Sequence, residues 1–233
     1  MEPPPIGPAR PSAQEDRIRF GWLARLLGRL MGAYVKLVAR TARFSGPPIT
    51  QDQVIFAVWH ESNLATAVSA YRLRTDNRAI VFSTRGFRGI MMNTMLDSLG
   101  SGVVTLPAEG MATRVEAANL ARVMARVGQS GWSLVISCDG PWGPRRVAKP
   151  GALIVARESG IPIQPWAISV RPTWRFRGRW DRHIVPLPFA RMHVEQGTQL
   201  QVGKRDRIKP LISVLQGELL RVAERADRRM GGT

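Results

Sequence analysis

His60 is the residue of this sequence whose side chain and position best suit acid–base chemistry. It follows an apolar run at residues 54–59, Val-Ile-Phe-Ala-Val-Trp, whose β-branched and aromatic side chains predict a buried strand. Open α/β sheets bind ligands at the carboxyl ends of their strands, and a neutral imidazole takes up a proton near neutral pH. His60 is therefore the candidate general base. A structural histidine that forms a hydrogen bond at a strand end would give the same local pattern.

A second group of polar residues follows the strand predicted at residues 133–138. It consists of Asp139, Gly140, Gly143, Arg145, Arg146 and Lys149. Cations in a tight turn between a strand end and a helix N-terminus are suited to hold a phosphate, although an ordinary loop with solvated arginines has the same composition. Because this turn and His60 both follow strands, we expect them at one edge of the same sheet. A histidine base beside an anion site is typical of a transferase.

The elements that must position these residues alternate between strands and helices. Strands are predicted at residues 54–59, 79–83, 102–105, 133–138 and 163–170, with shorter ones at 192–195 and 199–202, and helices at residues 61–72, 90–99, 111–127, 150–159 and 210–229. This alternation predicts an α/β fold with a single, mainly parallel sheet flanked by helices. We divide the chain into a disordered tail at residues 1–16, an amphipathic helix at 17–45 and an α/β domain at 46–233.

The predicted N-terminal helix is cationic and amphipathic. Its longest uncharged stretch is shorter than the roughly 20 residues that cross a bilayer, so a transmembrane helix is not expected. At about 100° per residue, the large apolar side chains lie on one side and the cations on the other. Such a helix either packs its apolar face on the domain or lies at an anionic membrane surface. The residues expected to face the membrane are Leu23, Arg25, Leu27, Arg29, Leu30, Tyr34, Lys36 and Arg40.

The overall charge predicts an anionic partner. The chain of 233 residues carries 34 Lys and Arg against 17 Asp and Glu, a formal charge of +17. Phospholipid, a phosphorylated metabolite and nucleic acid are all partners of this kind. Residues 171–180 interleave arginines with aromatic side chains, a pattern found both in nucleic-acid binders and at membrane interfaces.

Several other kinds of site are disfavoured by the sequence. The single cysteine, Cys138, excludes an internal disulfide and a cysteine metal cluster, and it weakly indicates a reducing, intracellular compartment. His183 and His193 have no second ligand at a metal-binding spacing, so no metal is expected. The chain also lacks the Gly-x-Ser-x-Gly of serine hydrolases and the phosphate loop of nucleotide triphosphatases.

Five short motifs occur in order between residues 20 and 203. They are Val-Trp-His at 58–60, Asp-Gly-Pro-x-Gly-Pro-Arg-Arg at 139–146, Lys-Pro-Gly at 149–151, Gly-Ile-Pro-Ile-x-Pro at 160–165 and Trp-Asp-Arg-x-Ile-x-Pro-Leu-Pro-Phe at 180–189. Together they resemble the lysophospholipid acyltransferase-like superfamily, specifically its bacterial branch classified as a domain of unknown function. The resemblance implies a glycerolipid acyltransferase-like fold and a membrane-associated acyltransferase.

The resemblance also implies roles for particular residues. His60 matches the catalytic histidine of the superfamily, whereas the position five residues later, usually aspartate, is Ala65 here. In its place Asp139 is the first candidate to orient the imidazole, and Asn63 is the second. Backbone N–H groups at residues 140–143 are expected to stabilise an oxyanion. Arg145, Arg146 and Lys149 are expected to hold a phosphate of the acceptor or of the thioester carrier.

The implied reaction moves an acyl chain from a thioester carrier to a hydroxyl of a lysophospholipid or related lipid. The carrier is acyl-CoA or acyl-ACP as co-substrate, which makes acyl carrier protein a candidate partner, and no bound cofactor is expected. The implied location is cytoplasmic and peripheral, on the anionic inner face of the bacterial membrane. The alternative is a non-catalytic binder of anionic lipid or nucleic acid on the same fold, and of these two partners nucleic acid is disfavoured.

Overall fold

The computed structural model of the chain describes residues 20–49, 52–73, 79–83, 85–105 and 114–231. Within them lie six α-helices, at Gly21–Thr41 (α1), Asn63–Leu73 (α2), Gly86–Ser98 (α3), Arg114–Gln129 (α4), Gly151–Ser159 (α5) and Ile208–Arg229 (α6), with a 3₁₀ turn at His60–Ser62. The strands are Arg43–Ser45 (β1), Ile55–Val58 (β2), Ala79–Ser83 (β3), Gly102–Thr105 (β4), Ser133–Ser137 (β5), Ile163–Arg175 (β6) and Ile184–Gln196 (β7). The tail predicted at residues 1–16 lies outside the described residues.

The strands form one sheet in the order β1-β7-β6-β2-β5-β3-β4. Neighbouring strands are parallel except for β6 and β7, which form an antiparallel hairpin. One face of the sheet is covered by α4, α5 and α6, and the other by α1, α2 and α3. These observations confirm the predicted α/β fold with a single, mainly parallel sheet flanked by helices.

The central strand β2 is buried on both faces. Ile55 and Ala57 join the core beneath α4–α6, whereas Phe56 and Val58 join the core beneath α1–α3. This division follows from the two-residue period of a strand, and it explains why the run has no polar alternation. Since β5 and β6 flank β2 in parallel, the carboxyl ends of β2 and β5 open onto one edge of the sheet.

The hairpin of β6 and β7 is longer than the sequence predicts. Each strand has 13 residues, whereas the sequence pattern predicts strands at 163–170 and 192–195. Prolines are unfavourable in most strands, so the sequence pattern predicts that these strands end early. Pro172 is tolerated because it lies at a register shift between Arg171 and Thr173, where a ladder hydrogen bond is dispensable. The segment predicted as a strand at 199–202 forms only an isolated bridge between Leu200 and Ile163.

Helix α1 has two apolar faces of different kinds. Its buried face is made of small and β-branched residues, namely Gly21, Ala24, Gly28, Gly32, Val35, Val38 and Ala39. This face packs closely on α3, since a Cβ added at Gly28 would lie 2.5 Å from the carbonyl oxygen of Met91. The opposite face exposes Trp22, Leu26, Leu30 and Leu37. Among the described helices, none is long and apolar enough to cross a membrane.

The packing of α1 leaves some of the residues predicted to face a membrane exposed and partly covers the others. Leu30, Arg29 and Arg40 are exposed. Leu23, Arg25, Leu27, Tyr34 and Lys36 are half-buried at the sides of the helix. Tyr34 also anchors the helix to the hairpin, because its hydroxyl donates a 2.7 Å hydrogen bond to the carbonyl oxygen of Pro186. The available apolar surface is therefore centred on Trp22, Leu26 and Leu30.

Candidate active site

His60 begins the 3₁₀ turn that follows β2. Trp59 before it is still extended, and its carbonyl oxygen accepts hydrogen bonds from the N–H and the hydroxyl of Ser62, which close the turn. The backbone N–H of His60 donates to Asp139 Oδ1 at 2.9 Å. The turn after β2 is thereby tied to the turn after β5, and the backbone of His60 is fixed at the carboxyl edge of the sheet.

The imidazole of His60 is oriented by Asp181. His60 Nδ1 lies 2.8 Å from Asp181 Oδ2, and the Asp181 side chain is fully buried. An ionised carboxylate only accepts hydrogen bonds, so Nδ1 carries a proton, and in the neutral form of the ring Nε2 carries the lone pair. No hydrogen bond to Nε2 occurs within the described part of the chain, and the His60 side chain keeps 23% of its surface exposed. The ring is thus held through Nδ1 and presents an accessible Nε2.

Arg179 holds Asp181 from the other side. Its Nε lies 2.9 Å from Asp181 Oδ1 and its Nη2 lies 3.0 Å from Oδ2, which is a bidentate pair. Burial alone would raise the pKa of Asp181, but the donors of Arg179 and His60 outweigh burial and hold that pKa well below its usual range. Asp181 therefore stays ionised at neutral pH and can stabilise a protonated imidazole.

The two residues expected to orient the imidazole have other partners. Asp139 is fully buried, and its oxygens accept the backbone N–H groups of His60 and Arg146 at 2.9 and 3.1 Å. Burial raises the pKa of Asp139 despite those hydrogen bonds. Asn63 Oδ1 accepts a 2.9 Å hydrogen bond from the Ser137 hydroxyl. Asp139 thus shapes the two turns, and the position next to the ring belongs to Asp181 instead.

Ala65, at the position where the superfamily usually has aspartate, lies in the apolar core between α2 and the sheet. Its side chain is fully buried among apolar neighbours. A carboxylate there would lose its hydration, which is unfavourable without a partner. The carboxylate of this site comes from the loop between β6 and β7 rather than from the helix that follows His60.

The arginines of the turn after β5 converge on Glu61, which is only 2% exposed. Arg145 Nε lies 2.6 Å from Glu61 Oε2 and Arg146 Nε lies 2.7 Å from Oε1. Arg175 Nη1 is 3.9 Å from Oε2. Three cations therefore surround one carboxylate, so the cluster retains a positive charge. The guanidinium groups predicted to bind a phosphate are held in place by this residue.

Lys149 is the remaining cation predicted for the site. It is half-buried and forms no salt bridge with any described residue. Its aliphatic chain lies over Gly140, since a Cβ added there would be 3.1 Å from Lys149 Cδ and 3.2 Å from Nζ. Gly140 also has a φ of 67°, a conformation that favours glycine. The Lys149 ammonium is therefore placed beside the turn and is available to an anion.

Gly143 brings the turn against the β6–β7 loop. Its φ is 69°, and a Cβ at this position would lie 2.5 Å from Trp180 Cε3. The Trp180 ring in turn lies beside the His60 ring, with 5.1 Å between their centroids. The Gly140 N–H already donates to the Ser137 carbonyl at 3.1 Å. Of the predicted oxyanion donors, Trp142 and Gly143 have N–H groups with no acceptor in the described structure.

His60, Asp181 and His183 form a group whose ligand atoms lie within 4.8 Å of one another. His183 Nδ1 is 3.4 Å from Asp181 Oδ2. Burial lowers the pKa of His183, and the nearby Arg179 cation acts in the same direction. Two imidazoles and a carboxylate could in principle hold a divalent cation. However, both oxygens of Asp181 already accept hydrogen bonds from Arg179, whose charge opposes a second cation, so the group suits acid–base chemistry better.

The local sequence pattern indicates no role for Asp181, Arg179 or Glu61. Asp181 and its neighbours lie about 120 residues after His60 in the chain, which hides their proximity. The Trp-Asp-Arg motif at residues 180–182 and the position of its loop after β6 are the features of the sequence that indicate Asp181 as a site residue. Because β6 is parallel to β2, the loop after β6 lies at the same edge as His60.

Comparisons with known proteins indicate where this arrangement belongs. No protein-family model matches the chain. The uncharacterized protein RP090 of Rickettsia prowazekii (strain Madrid E) is 23% identical over 161 residues, which cover 69% of each protein.

A solved structure resembles most of this chain. The 1-acyl-sn-glycerophosphate (LPA) acyltransferase PlsC from Thermotoga maritima superposes with a TM-score of 0.53 at 14% sequence identity, over 90% of this chain and 84% of that one. An identity this low shows the fold alone, so membership of the bacterial branch named above stays a prediction. The chain has the α/β fold of an LPA acyltransferase.

Proposed function

We propose that this protein is an acyltransferase that moves an acyl chain from a thioester carrier to a hydroxyl of a lysophospholipid or related lipid. The observation that carries the proposal is the 2.8 Å contact between His60 Nδ1 and the buried, ionised Asp181. This contact fixes the ring through Nδ1 and leaves Nε2 accessible, and the pair lies in a fold that also occurs in an acyltransferase. The same features support His60 as the general base and Asp181 as the residue that positions it.

In the proposed reaction His60 Nε2 removes the proton of the acceptor hydroxyl while that oxygen attacks the thioester carbonyl carbon. The new C–O bond forms a tetrahedral intermediate, and its collapse breaks the C–S bond. The imidazolium returns its proton to the departing thiolate, so atoms and charge balance without a covalent enzyme intermediate. Asp181 stabilises the transient imidazolium. The N–H groups of Trp142 and Gly143, which have no acceptor in the part of the chain that the structure describes, are the candidate oxyanion donors.

The charge around the site supports a phosphate-bearing substrate. The Glu61 cluster combines Arg145, Arg146 and Arg175 with one carboxylate, and Lys149 adds an ammonium that forms no salt bridge with the described residues. A lysophospholipid phosphate or a phosphate of acyl-CoA would each be attracted there. Acyl-ACP is the other candidate donor, and then acyl carrier protein would be a partner. The chemistry of thioester transfer requires no bound cofactor.

A direct assay tests the activity. We expect the purified protein to convert lysophosphatidic acid and an acyl thioester to the diacyl lipid, measured by mass spectrometry of the lipid product. The assay should compare acyl-CoA with acyl-ACP and include lysophospholipids with neutral headgroups. Absence of any diacyl product from all of these pairs would contradict the proposal. A preference among the acceptors would identify the headgroup that the cationic cluster favours.

We propose further that the enzyme is peripheral on the cytoplasmic, anionic face of a bacterial membrane. Exposed apolar side chains at Trp22, Leu26 and Leu30 of α1 support this location. Trp142 and Phe176 are also exposed, and they belong to the two loops that carry the Asp139 turn and Asp181. Aromatic and basic side chains are both favourable at a membrane–water interface. Substrates in the bilayer could then reach the site without leaving the lipid.

Replacing both Leu26 and Leu30 with serine is expected to weaken vesicle binding by about tenfold or more, because two large apolar contacts with lipid are lost. Sedimentation with phosphatidylglycerol vesicles measures the partition coefficient. Val214→Ser on α6 is the matched control, since Val214 is likewise an exposed apolar residue on a helix. Equal binding by the double variant and the control would contradict a membrane role for this face.

Salt-sensitive binding of nucleic acid without vesicle binding would favour the alternative, a non-catalytic binder of anionic polymers.

A further inference from the structure

Three arginines lie side by side across the strands at the far edge of the sheet. Arg43 of β1 is the register partner of Arg191 in β7, and Arg171 of β6 pairs with Arg191 from the other side. Directly paired residues of adjacent strands project from the same face of the sheet. All three side chains are exposed. We call Arg43, Arg171 and Arg191 the arginine row.

Among the described residues, no carboxylate forms a salt bridge with the arginine row. No salt bridge to any of its members occurs among the described residues, and the hydrogen bond found for their side chains is from Arg171 Nη1 to the Gly231 carbonyl at 3.2 Å. The next carboxylate along β7, Glu195, is instead paired with His193 and Arg225. Paired positions of a sheet are only about 4.5–5.5 Å apart, and like charges at that distance destabilise the sheet. A row of three therefore favours the binding of an anion.

The arginine row lines an open pocket of about 580 Å³. Its other lining residues are Thr41, Pro172 and Phe189. A volume of this order is typical of small-molecule sites. The pocket therefore offers three guanidinium groups together with an apolar wall, and it can accept more than an isolated ion.

Phe189 supplies that apolar wall in an unfavourable conformation. Its side chain is 76% exposed and its φ is 64°, although a bulky residue rarely adopts the left-handed region. The position is held by a 3.1 Å hydrogen bond from the Phe189 N–H to Thr41 Oγ1. Strained backbone positions cluster at active sites and ligand-binding sites. This observation is independent of the charge of the arginine row and concerns the same pocket.

We propose that this pocket binds a phosphate-bearing ligand, with the arginine row on the phosphate and Phe189 against an adjacent apolar or planar group. Guanidinium groups suit this role because they donate paired hydrogen bonds to phosphate oxygens. The pocket is separate from the His60 site. Arg175 belongs to the cluster around Glu61. Arg171 lies four residues before it, which is about 13 Å along β6. The proposal does not depend on acyl transfer.

Two sources of such a ligand are distinguished by the probes. Inorganic pyrophosphate represents a soluble phosphorylated compound and is titrated into the full chain by calorimetry. Phosphatidylglycerol vesicles, compared with phosphatidylcholine vesicles, represent a lipid headgroup. Arg191→Gln removes the central member of the row, and Arg205→Gln removes the same charge from an exposed turn elsewhere. Arg191→Glu is a third variant that would pair with both neighbouring arginines.

The expected result is saturable pyrophosphate binding by the native protein, weakened about tenfold or more by Arg191→Gln and less than about twofold by Arg205→Gln. If pyrophosphate does not bind but Arg191→Gln alone lowers binding to phosphatidylglycerol vesicles, the ligand is a lipid headgroup. Arg191→Glu should abolish binding and raise the melting temperature, because it converts repulsion into attraction. Equal effects of Arg191→Gln and Arg205→Gln on both probes would overturn the proposal.

Discussion

Acyl transfer by the Asp181→Asn variant is expected to fall by roughly 10³- to 10⁴-fold while the protein stays folded. Asp181 Oδ2 accepts hydrogen bonds from His60 Nδ1 and Arg179 Nη2, and Oδ1 accepts from Arg179 Nε. An amide must turn its NH₂ group toward one of these donors. If the NH₂ group takes the Oδ2 position, it opposes Arg179 Nη2 and also faces His60; Nδ1 then has to accept, and the proton moves to Nε2, where it prevents base catalysis. If it takes the Oδ1 position, it opposes Arg179 Nε and the side chain loses that support.

The measurement is kcat and KM for acyl transfer by the single variants Asp181→Asn and His60→Ala and by the double variant. Because the two residues act as one unit, the double variant should be no slower than His60→Ala alone. Asp97→Asn, on the exposed side of α3, makes the same chemical change away from the site and should keep the native rate. A native rate for Asp181→Asn would remove the positioning role. Multiplicative losses in the double variant would show that Asp181 acts independently of His60.

The sequence allowed the position of His60 to be predicted because the information is local. A continuous apolar run followed by a polar residue predicts a central strand and its carboxyl end, and the observed strand Ile55–Val58 confirms this. The turn at residues 139–146 could be placed beside His60 for the same reason, since parallel strands align their carboxyl ends. The main strand and helix pattern was likewise predictable from periodicity.

The identity of the residue beside the imidazole could not be predicted from local pattern. It depends on the β6–β7 hairpin, whose prolines obscure the strand pattern and whose length decides where Asp181 lies. Asp139 is the candidate nearer to His60 along the sequence, but its carboxylate is used by two backbone N–H groups. Competition between backbone and side-chain donors for one carboxylate is settled by tertiary geometry. The same limit applies to Glu61, because the residues next to it in the sequence do not indicate that Arg145, Arg146 and Arg175 surround its carboxylate.

Replacing Glu61 with glutamine is expected to lower the free energy of unfolding by about 3 kcal/mol. Glu61 is almost completely buried, and it accepts hydrogen bonds from Arg145 and Arg146 on its two oxygens. A glutamine has one acceptor oxygen and no charge, so one arginine would face an NH₂ group and the mutual repulsion of the cations would be uncompensated. Both arginines are partly exposed, so water can relieve some of this cost. Urea denaturation at neutral pH measures the change.

Glu224→Gln is the matched control for this experiment, because Glu224 forms a solvent-exposed pair with Arg228 at 3.8 Å on α6. Exposed pairs contribute about 0–1 kcal/mol, so that variant should unfold almost like the native protein. If Glu61→Gln left the free energy of unfolding equally unchanged, other contacts would have to hold the arginines, and Glu61 would not organise the turn. A large loss confined to Glu61→Gln would mean that the buried carboxylate holds the cations beside His60, where a phosphate-bearing substrate is proposed to bind.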